Sequence, residues 1–580
     1  MKKKMLFLPL MAALLFSACS QDEDNTGTNG SGGDSKTSYL TVNLVAAPSM
    51  GTRAPGDNDF EDGLETENTV NSVRFYFFHK DGTAAAVKGG NQSYYDWNNP
   101  TTTPGEKPNV EKKLSATIII ESPADGSKDA IPASVVAVIN PTNEVKAVNV
   151  KKLGDLSGIT QDFSTTSSFV MSNSVYANGT FKMDAVDVSE HIFPTKEAAL
   201  EDPVAIYVER VLAKVRLGVG FTGTPTAANG TIYPTSTTEN EQKFEDKDIY
   251  VKFLGWNVTA TADKSYLMKS INTGWPSDLF GNAEPWNFAE YFRSFWAVNP
   301  GDLNYKYGAF DTEATGHPNT ADFIKDFEQG TGKKNYTYVA ENAAKGSDID
   351  AKTDNPTKVI IAAQLVDKDG NPLTIAEWAG NKYNIEDLKK ELASHAPLWK
   401  DDMVEDPETG EQKPGRVKVT PEEIILKTAM AVGEAAPSTS GRYYVYAQIT
   451  EETFNQETWY ADDNVGTEDH PEWASNSIDL KTANEQLKKA GPAKVWNEGR
   501  TYYYFDIKHL GADGQPGQYG VVRNHLYNAT ITKLAGLGTP VYDPEEVIYP
   551  EKPTDDNQYI AAKINILSWR LVPSNVELEW

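Results

Sequence analysis

Short runs in which apolar and polar residues take turns, each closed by Gly, Pro, Asn or Asp, constrain this chain more than any other feature. Successive side chains of a strand point to opposite faces, so such a run buries one face and wets the other. In Tyr39–Ala46, Leu40, Val42, Leu44 and Ala46 share one face, while Tyr39, Thr41 and Asn43 share the other. Val73–Phe78 leads into His79-Lys80-Asp81-Gly82, a strand followed by an Asp-Gly hairpin turn. Further strands are predicted at Ala116–Glu121, Ala133–Ile139, Tyr250–Thr259, Arg442–Ile449, Arg500–Ile507 and Gly520–Ile531. Pro203–Leu217 is long and rich in β-branched residues, and it reads as one core strand that closes a first domain. Gly218 to about Asp248, loaded with Gly, Pro, Thr and Glu, reads as a linker. Helical insertions are predicted at Thr320–Phe327, Thr374–Ser394 and Lys481–Ala490. At 580 residues the chain exceeds one ordinary core, so the expected fold is mainly β, with two β-sandwich-like domains in tandem and a few helical insertions.

The chain holds one cysteine, Cys19, which excludes a disulfide framework or a thiolate cluster within a single copy. Lys2, Lys3 and Lys4 precede the apolar run Met5–Phe16, and Ser17-Ala18-Cys19 follow it, the three parts of a secretory signal in order. That run is too short for a permanent bilayer span, and no later stretch approaches ~18 uninterrupted apolar residues. Small residues before the cysteine make the segment similar to a bacterial lipoprotein signal, with Cys19 as the lipidated residue. Residues 20–38 are acidic and then rich in Gly, Ser, Thr and Asn, a composition that buries no apolar area and reads as a tether. The segment from Pro48 to Asp57 is turn-rich and polar, an exposed loop of the kind proteases cut, and it contains Arg53, the first arginine of the chain.

A formal net charge of −28, from 82 acidic and 54 basic side chains, argues against a nucleic-acid partner, because phosphate neutralisation needs clustered Lys and Arg. Seven histidines show no HExxH or paired-ligand spacing, so neither a catalytic nor a metal site is expected, and no cofactor. Asp367-Lys368-Asp369-Gly370-Asn371 lacks the later glutamate of a calcium loop and reads as a hairpin turn after Ile360–Val366. His525, beside Arg523 in a predicted strand, reads as structural. Trp275, Trp286, Trp296, Trp459, Trp473 and Trp496 leave two readings, core residues or an aromatic platform for sugars.

The C-terminal residues are the most distinctive. After an acidic, Pro-bearing spacer at Tyr542–Asn557, Ile560, Ala562, Ile564 and Ile566 fall on one side of a strand, and Leu567, Trp569 and Leu571 on the other. Pro573 interrupts the run, and Val576, Leu578 and Trp580 then alternate with polar residues in a second short strand. So much apolar surface must join a sheet. The pattern leaves open whether that sheet belongs to the same molecule or to another.

Several pieces in order, Ser17-Ala18-Cys19, the strand Tyr39–Ala46 followed by Arg53, Val208–Val215, Arg293–Ala297, Tyr502–Tyr504, Gly520–Tyr527 and Ile564–Trp569, are similar to the fimbrillins that build type V pili. The chain resembles in particular the short-fimbria (Mfa-type) major subunit. The insertions near Asp311–Asp354 depart from that pattern. The resemblance implies a structural stalk subunit and not an enzyme, carried as a precursor lipid-anchored to the outer membrane and ending in a cell-surface fimbrium that supports adhesion, colonisation and biofilm formation. It implies cleavage between Arg53 and Ala54 by an Arg-specific surface protease, loss of the strand bearing Leu40, Val42 and Leu44, and self-polymerisation. The donated strand would carry Ile560, Ile564, Ile566, Leu567, Trp569, Leu571, Val576, Leu578 and Trp580. The implied organisation is a signal at 1–19, a propeptide at 20–53, β domains at 54–222 and 223–540, and a spacer with donor strands at 541–580. Anchor and tip subunits are the implied partners; an anchor or accessory subunit, and a lipid-anchored surface glycan-binding protein, are the alternatives.

Overall fold

The computed structural model describes residues 36–46, 60–61, 63–87, 92–100, 103–104, 112–122, 131–173, 185–226, 230–235, 243–270, 303–304, 322–328, 330, 332–342, 357–406, 409–429, 443–461, 476–509, 520–534, 536–545 and 569–578. They form a mainly β structure. The strands that matter below are, in chain order, β1 (Lys36–Ala46), β2 (Phe60–Glu61), β3 (Ser72–Phe78), β4 (Tyr94–Asn98), β5 (Lys112–Ser122), β6 (Ser134–Ile139), β7 (Met171–Asn173), β8 (Val204–Arg210) and β9 (Ala213–Val219). They continue with β10 (Tyr250–Thr259), β11 (Tyr336–Val339), β12 (Lys358–Val366), β13 (Ile375–Trp378), β14 (Tyr444–Ile449), β15 (Ala493–Trp496), β16 (Arg500–Asp506), β17 (His525–Leu534) and β18 (Trp569–Leu578).

A nine-stranded sheet takes the order β4-β3-β6-β7-β8-β1-β5, edged by the two-residue strand Thr103–Pro104, with the two-residue strand Val186–Asp187 pairing β6 off this path. Its strands are apolar on both faces because both are covered. One face gathers Leu40, Val42, Phe75, Phe77, Ile118, Val135, Ile206 and Val208. The other gathers Tyr76, Phe78, Val136, Val138, Leu156 and Phe163.

Two further sheets pack on each other. A five-stranded sheet runs β2-β18-β17-β9-β11, and a six-stranded sheet contains β10, β12 and β16. Val215 and Leu217 of β9 and Tyr527 and Ile531 of β17 meet Trp256, Ile361, Leu365 and Tyr503 in one core. Between β12 and β16 the chain leaves to build a separate layer, a five-stranded sheet containing β13, β14 and β15. Two helices, α1 (Ile385–His395) and α2 (Leu480–Lys488), cover that layer with Leu388, Leu392 and Leu487. Asn384 and Asp479 cap them, each accepting a hydrogen bond from the backbone three residues on.

Four expectations change. Pro203–Leu217 is two strands in two sheets: the chain passes from the nine-stranded sheet to the five-stranded one at Val211–Leu212, ahead of the expected domain boundary at 222/223. The supposed linker contributes strands Thr224–Thr226 and Gly230–Pro234 to the six-stranded sheet. Helix is absent from the first part of Thr374–Ser394, where β13 and Asn381–Tyr383 form a hairpin. Its turn places Ala379 and Gly380 at φ 49° and 79°, the left-handed geometry of a tight two-residue hairpin. Within Thr320–Phe327, the Ile324 backbone pairs instead with Trp256 of β10 at N···O distances of 2.9 Å in both directions. By contrast, β10 and α2 fall where the alternation and the helical spacing place them, and Asp367 closes the turn after β12 by accepting from Gly370.

Candidate functional site

β1 lies inside its sheet, with strands on both sides. It runs parallel to β8, from Val42 opposite Val204 to Ala46 opposite Val208. It runs antiparallel to β5, from Lys36 opposite Ser122 to Val45 opposite Lys113. Leu40 and Val42 are completely buried in the core. Thr41, assigned to the wet face, is buried as well, with its hydroxyl 3.2 Å from that of Thr117. Leu44 sits opposite Ile206 and Leu114. Without β1, the facing edges of β8 and β5 present unpaired N–H and C=O groups, each costing about 1–3 kcal/mol if left dry.

The C-terminal strand is placed in its own chain's five-stranded sheet. β18 runs parallel to β17, with His525 opposite Arg570 and Leu534 opposite Leu578, and a register irregularity between Ile531 and Lys533. Its second edge is met by β2, Phe60 opposite Arg570 and Glu61 opposite Trp569. β18 therefore continues through Pro573 instead of breaking there. β2 reaches only the first two residues, so Pro573 lies where, among the described residues, one edge of the strand carries no ladder, a position at which a missing N–H is tolerated. Leu571, Val576 and Leu578 belong to this strand. Cys19, Arg53, Ala54, Ile560, Ile564, Ile566, Leu567 and Trp580 lie outside the described residues, as do Trp275, Trp286, Trp296 and Trp473. Trp459 and Trp496 are core residues, 1% and 3% exposed, with indole N–H groups donating to the carbonyls of Phe454 and Gly538.

Between the two sheets lies a group of buried charges that strand patterning did not single out. Glu67, 0% exposed, follows β2 in a single turn of 3₁₀ helix. Its carboxylate accepts from Lys214 Nζ of β9 at 2.7 Å, from the Tyr338 hydroxyl of β11, and from the Leu64 backbone at 2.8 Å. Its carbonyl accepts from Arg210 Nε at 3.2 Å, and Arg210 also donates to Asn524 beside β17 at 2.9 Å. Burial pushes the Glu67 carboxyl up, but the Lys214 ammonium and the donated hydrogen bonds outweigh it and hold the group below the usual carboxylate range. Burial and the neighbouring Glu67 both push the Tyr338 hydroxyl up, so it stays protonated.

A second staple joins the same layers. Arg523, wholly buried, contacts Glu341 at 2.7 Å and donates to the carbonyls of Tyr266 and Leu267 at 2.7 and 3.0 Å. Ser265–Tyr266 pairs with Thr160–Gln161 of the first unit, and Leu267 and Met268 fill the core beneath the nine-stranded sheet. Lys269 and Glu209, both about 1% exposed, face each other at 3.8 Å. A signal was present: Glu209, Arg210, Lys214 and Arg216 sit in an otherwise apolar, β-branched run, where charges survive only with partners. The arrangement supplies two interlocked sheets, with β1 paired on both edges in one and β18 in the other. Among the described residues no group of His, Cys, Asp or Glu side chains converges as a metal site, and no helix is long and apolar enough to cross a membrane.

Residues 494–575 match the family model for the major fimbrial subunit protein type IV, fimbrillin, C-terminal. That segment runs from β15 through β17 and into β18. No curated protein matches the sequence. Among solved structures, the chain is similar to a "putative cell adhesion protein" from Parabacteroides distasonis, at 16% identity and a TM-score of 0.30, covering 56% of this chain and 75% of that one. It is similar to a second such protein from Bacteroides eggerthii, at 17% identity and a TM-score of 0.27, covering 59% and 78%. It is also similar to a fimbrial assembly protein from Parabacteroides distasonis, at 12% identity and a TM-score of 0.27, covering 65% and 98%.

Proposed function

We propose, from the premise that the chain carries a fimbrillin C-terminal region, that it is a structural stalk subunit of a cell-surface fimbria and not an enzyme. In this reading Cys19 carries lipid in an outer-membrane precursor, and an Arg-specific protease cuts between Arg53 and Ala54. The 20–53 segment, with β1, then leaves the molecule. The C-terminal strand of a neighbouring copy, from Ile560, Ile564, Ile566 and Leu567 through Trp569, Leu571, Val576 and Leu578 to Trp580, takes its place. Repeated head to tail, this contact builds an open filament that supports adhesion and biofilm formation. The stalk is one position in such a filament; anchor and tip subunits would be its partners.

The observation that carries the reading is the placement of β1. It precedes the strands it joins, lies between a parallel and an antiparallel neighbour, and seats the fully buried Leu40 and Val42. A strand so placed leaves behind a slot lined by Ile118, Ile206 and Val208, which another strand of the same polarity fits. Refilling it satisfies the orphaned backbone and buries apolar side chains worth about 1.5–3 kcal/mol each, less the entropy of ordering the spacer.

Two measurements test this. Arg53→Ala protein is expected to retain its full precursor mass and remain monomeric, whereas the natural chain yields a surface form whose N-terminal residue is Ala54. Deleting Gln558–Trp580 is expected to leave a folded subunit that forms no ladder on SDS gels. Polymer from the deleted chain would sink the donor assignment, and a mature N-terminus at Cys19 would sink activation by strand loss.

A further inference from the structure

We propose that the uncut chain stores its own C-terminal strand in a clasp closed by β2, and that a cut between β1 and β2 opens it. One cut would then free the slot and release the tail. The inference rests on the reading that β1 is removed and the tail donated, and it adds the coupling between those events.

The coupling follows from what holds β2. Its ladder with β18 is only two residues long, Phe60 opposite Arg570 and Glu61 opposite Trp569. A backbone hydrogen bond has a small net worth, and ordering a residue costs about as much, so so short a ladder on a free chain end frays. β2 is not a free end. On its C-terminal side Glu67 is locked by Lys214 and Tyr338, from β9 and β11 of the sheet that β2 and β18 also belong to. On its N-terminal side the chain leads to β1, which is paired on both edges within the nine-stranded sheet. Two anchors thus restrict β2 to the neighbourhood of Arg570.

Cutting the chain between β1 and β2 removes one anchor. Glu67 still fixes the chain a few residues downstream, but Phe60 and Glu61 become part of a loose terminus. β18 then keeps one partner, β17, and becomes an edge strand along its whole length, held by a parallel ladder, the slightly weaker kind per residue. Stored under β2, the tail is withheld from other molecules while the slot is full. Released, it is offered when the slot opens.

The test places cysteines at Thr530 and Asn575, register partners on β17 and β18, in the full chain carrying Cys19→Ser. Residues 48–53 are replaced by the recognition sequence of a site-specific protease. Disulfide yield is read at nanomolar concentration, where copies do not meet, before and after cutting. Cross-linking of most molecules is expected in the uncut chain, with a fall of about five-fold in the ratio of cross-linked to uncross-linked chain on cutting, equivalent to about 1 kcal/mol at 1.4 kcal/mol per tenfold. Phe60→Pro with Glu61→Pro, which removes the backbone donors of β2, should lower the uncut yield to the same level. An absent cross-link in the uncut chain, or a yield indifferent to both cutting and the prolines, overturns the clasp. Polymerisation of the same cut protein at micromolar concentration is scored separately. A cut chain that polymerises with undiminished cross-linking refutes the clasp and leaves strand donation standing. A fall in yield without polymer upholds the clasp and refutes donation.

Discussion

At Glu67, dehydration and charge oppose each other, and charge prevails. The carboxylate has no exposure, yet one ammonium, one phenol and one backbone N–H converge on it. Glu67→Gln removes the charge while keeping the shape, taking the Glu67 carboxylate away from the Lys214 ammonium, which is 3% exposed. The expected loss is about 3–5 kcal/mol of unfolding free energy at neutral pH, measured by chemical denaturation of the uncut chain. The pH dependence has a definite sign. Because the folded carboxyl lies below its ordinary value of 4.5, its contribution is fully present above that value and disappears as pH falls through the lower folded value. The gap between the natural chain and Glu67→Gln should therefore narrow on acidification below about pH 4.5, and a gap that widened there would contradict the assignment.

Among the elements, β1 differs from its neighbours in being both central and proposed to leave. In an Arg53→Ala background, Val42→Asp puts an unpaired carboxylate at a position with no exposure. It should lower the stability of the uncut chain by about 4 kcal/mol or more. With Arg53 in place, the same substitution should not alter polymer made from cut subunits, since on the proposed reading Val42 is absent from them; a weakened polymer would mean that β1 stays. The pattern that reveals β1 in the sequence is plain alternation, whereas β3, β6 and β16 are legible as short, nearly continuous apolar or aromatic runs. The break between β8 and β9 is not, because alternation reports burial but not which sheet does the burying. Val211 and Leu212 are as apolar as the strand residues around them. They turn the chain by packing under the first sheet while Asn524 N–H donates to the Leu212 carbonyl from the second. That Lys214 needs a partner is legible, but which partner is not, because Glu67 comes from a distant part of the chain. Similarly, Ala379-Gly380 is a turn that a helical count over Thr374–Ser394 runs straight across.

Over the whole molecule, the layer between β12 and β16 stands apart, with its own core of Leu388, Leu392, Leu426, Trp459 and Leu487. Ala376 and Val495 are register partners where the chain enters and leaves it. Replacing residues 377–494 by an Asn-Gly turn should therefore close a hairpin and leave the sandwich folded. Cooperative unfolding of the shortened chain, followed by the near-ultraviolet signal of the remaining aromatics, checks this, and loss of the transition would show that the layer is integral.

The polarity of the strands has a mechanical consequence. β1 is parallel to β8, the chain continues from β8 through Val211–Leu212 into β9, and β9 is parallel to β17, which is parallel to β18. Tension that enters through whatever strand occupies the β1 position is passed to β8, along one covalent run into β9, and from β9 to its parallel neighbour β17. Pulling along these ladders shears many hydrogen bonds at once instead of unzipping them singly, so a thread built on this plan resists stretching along its axis while its exposed edges stay easy to peel.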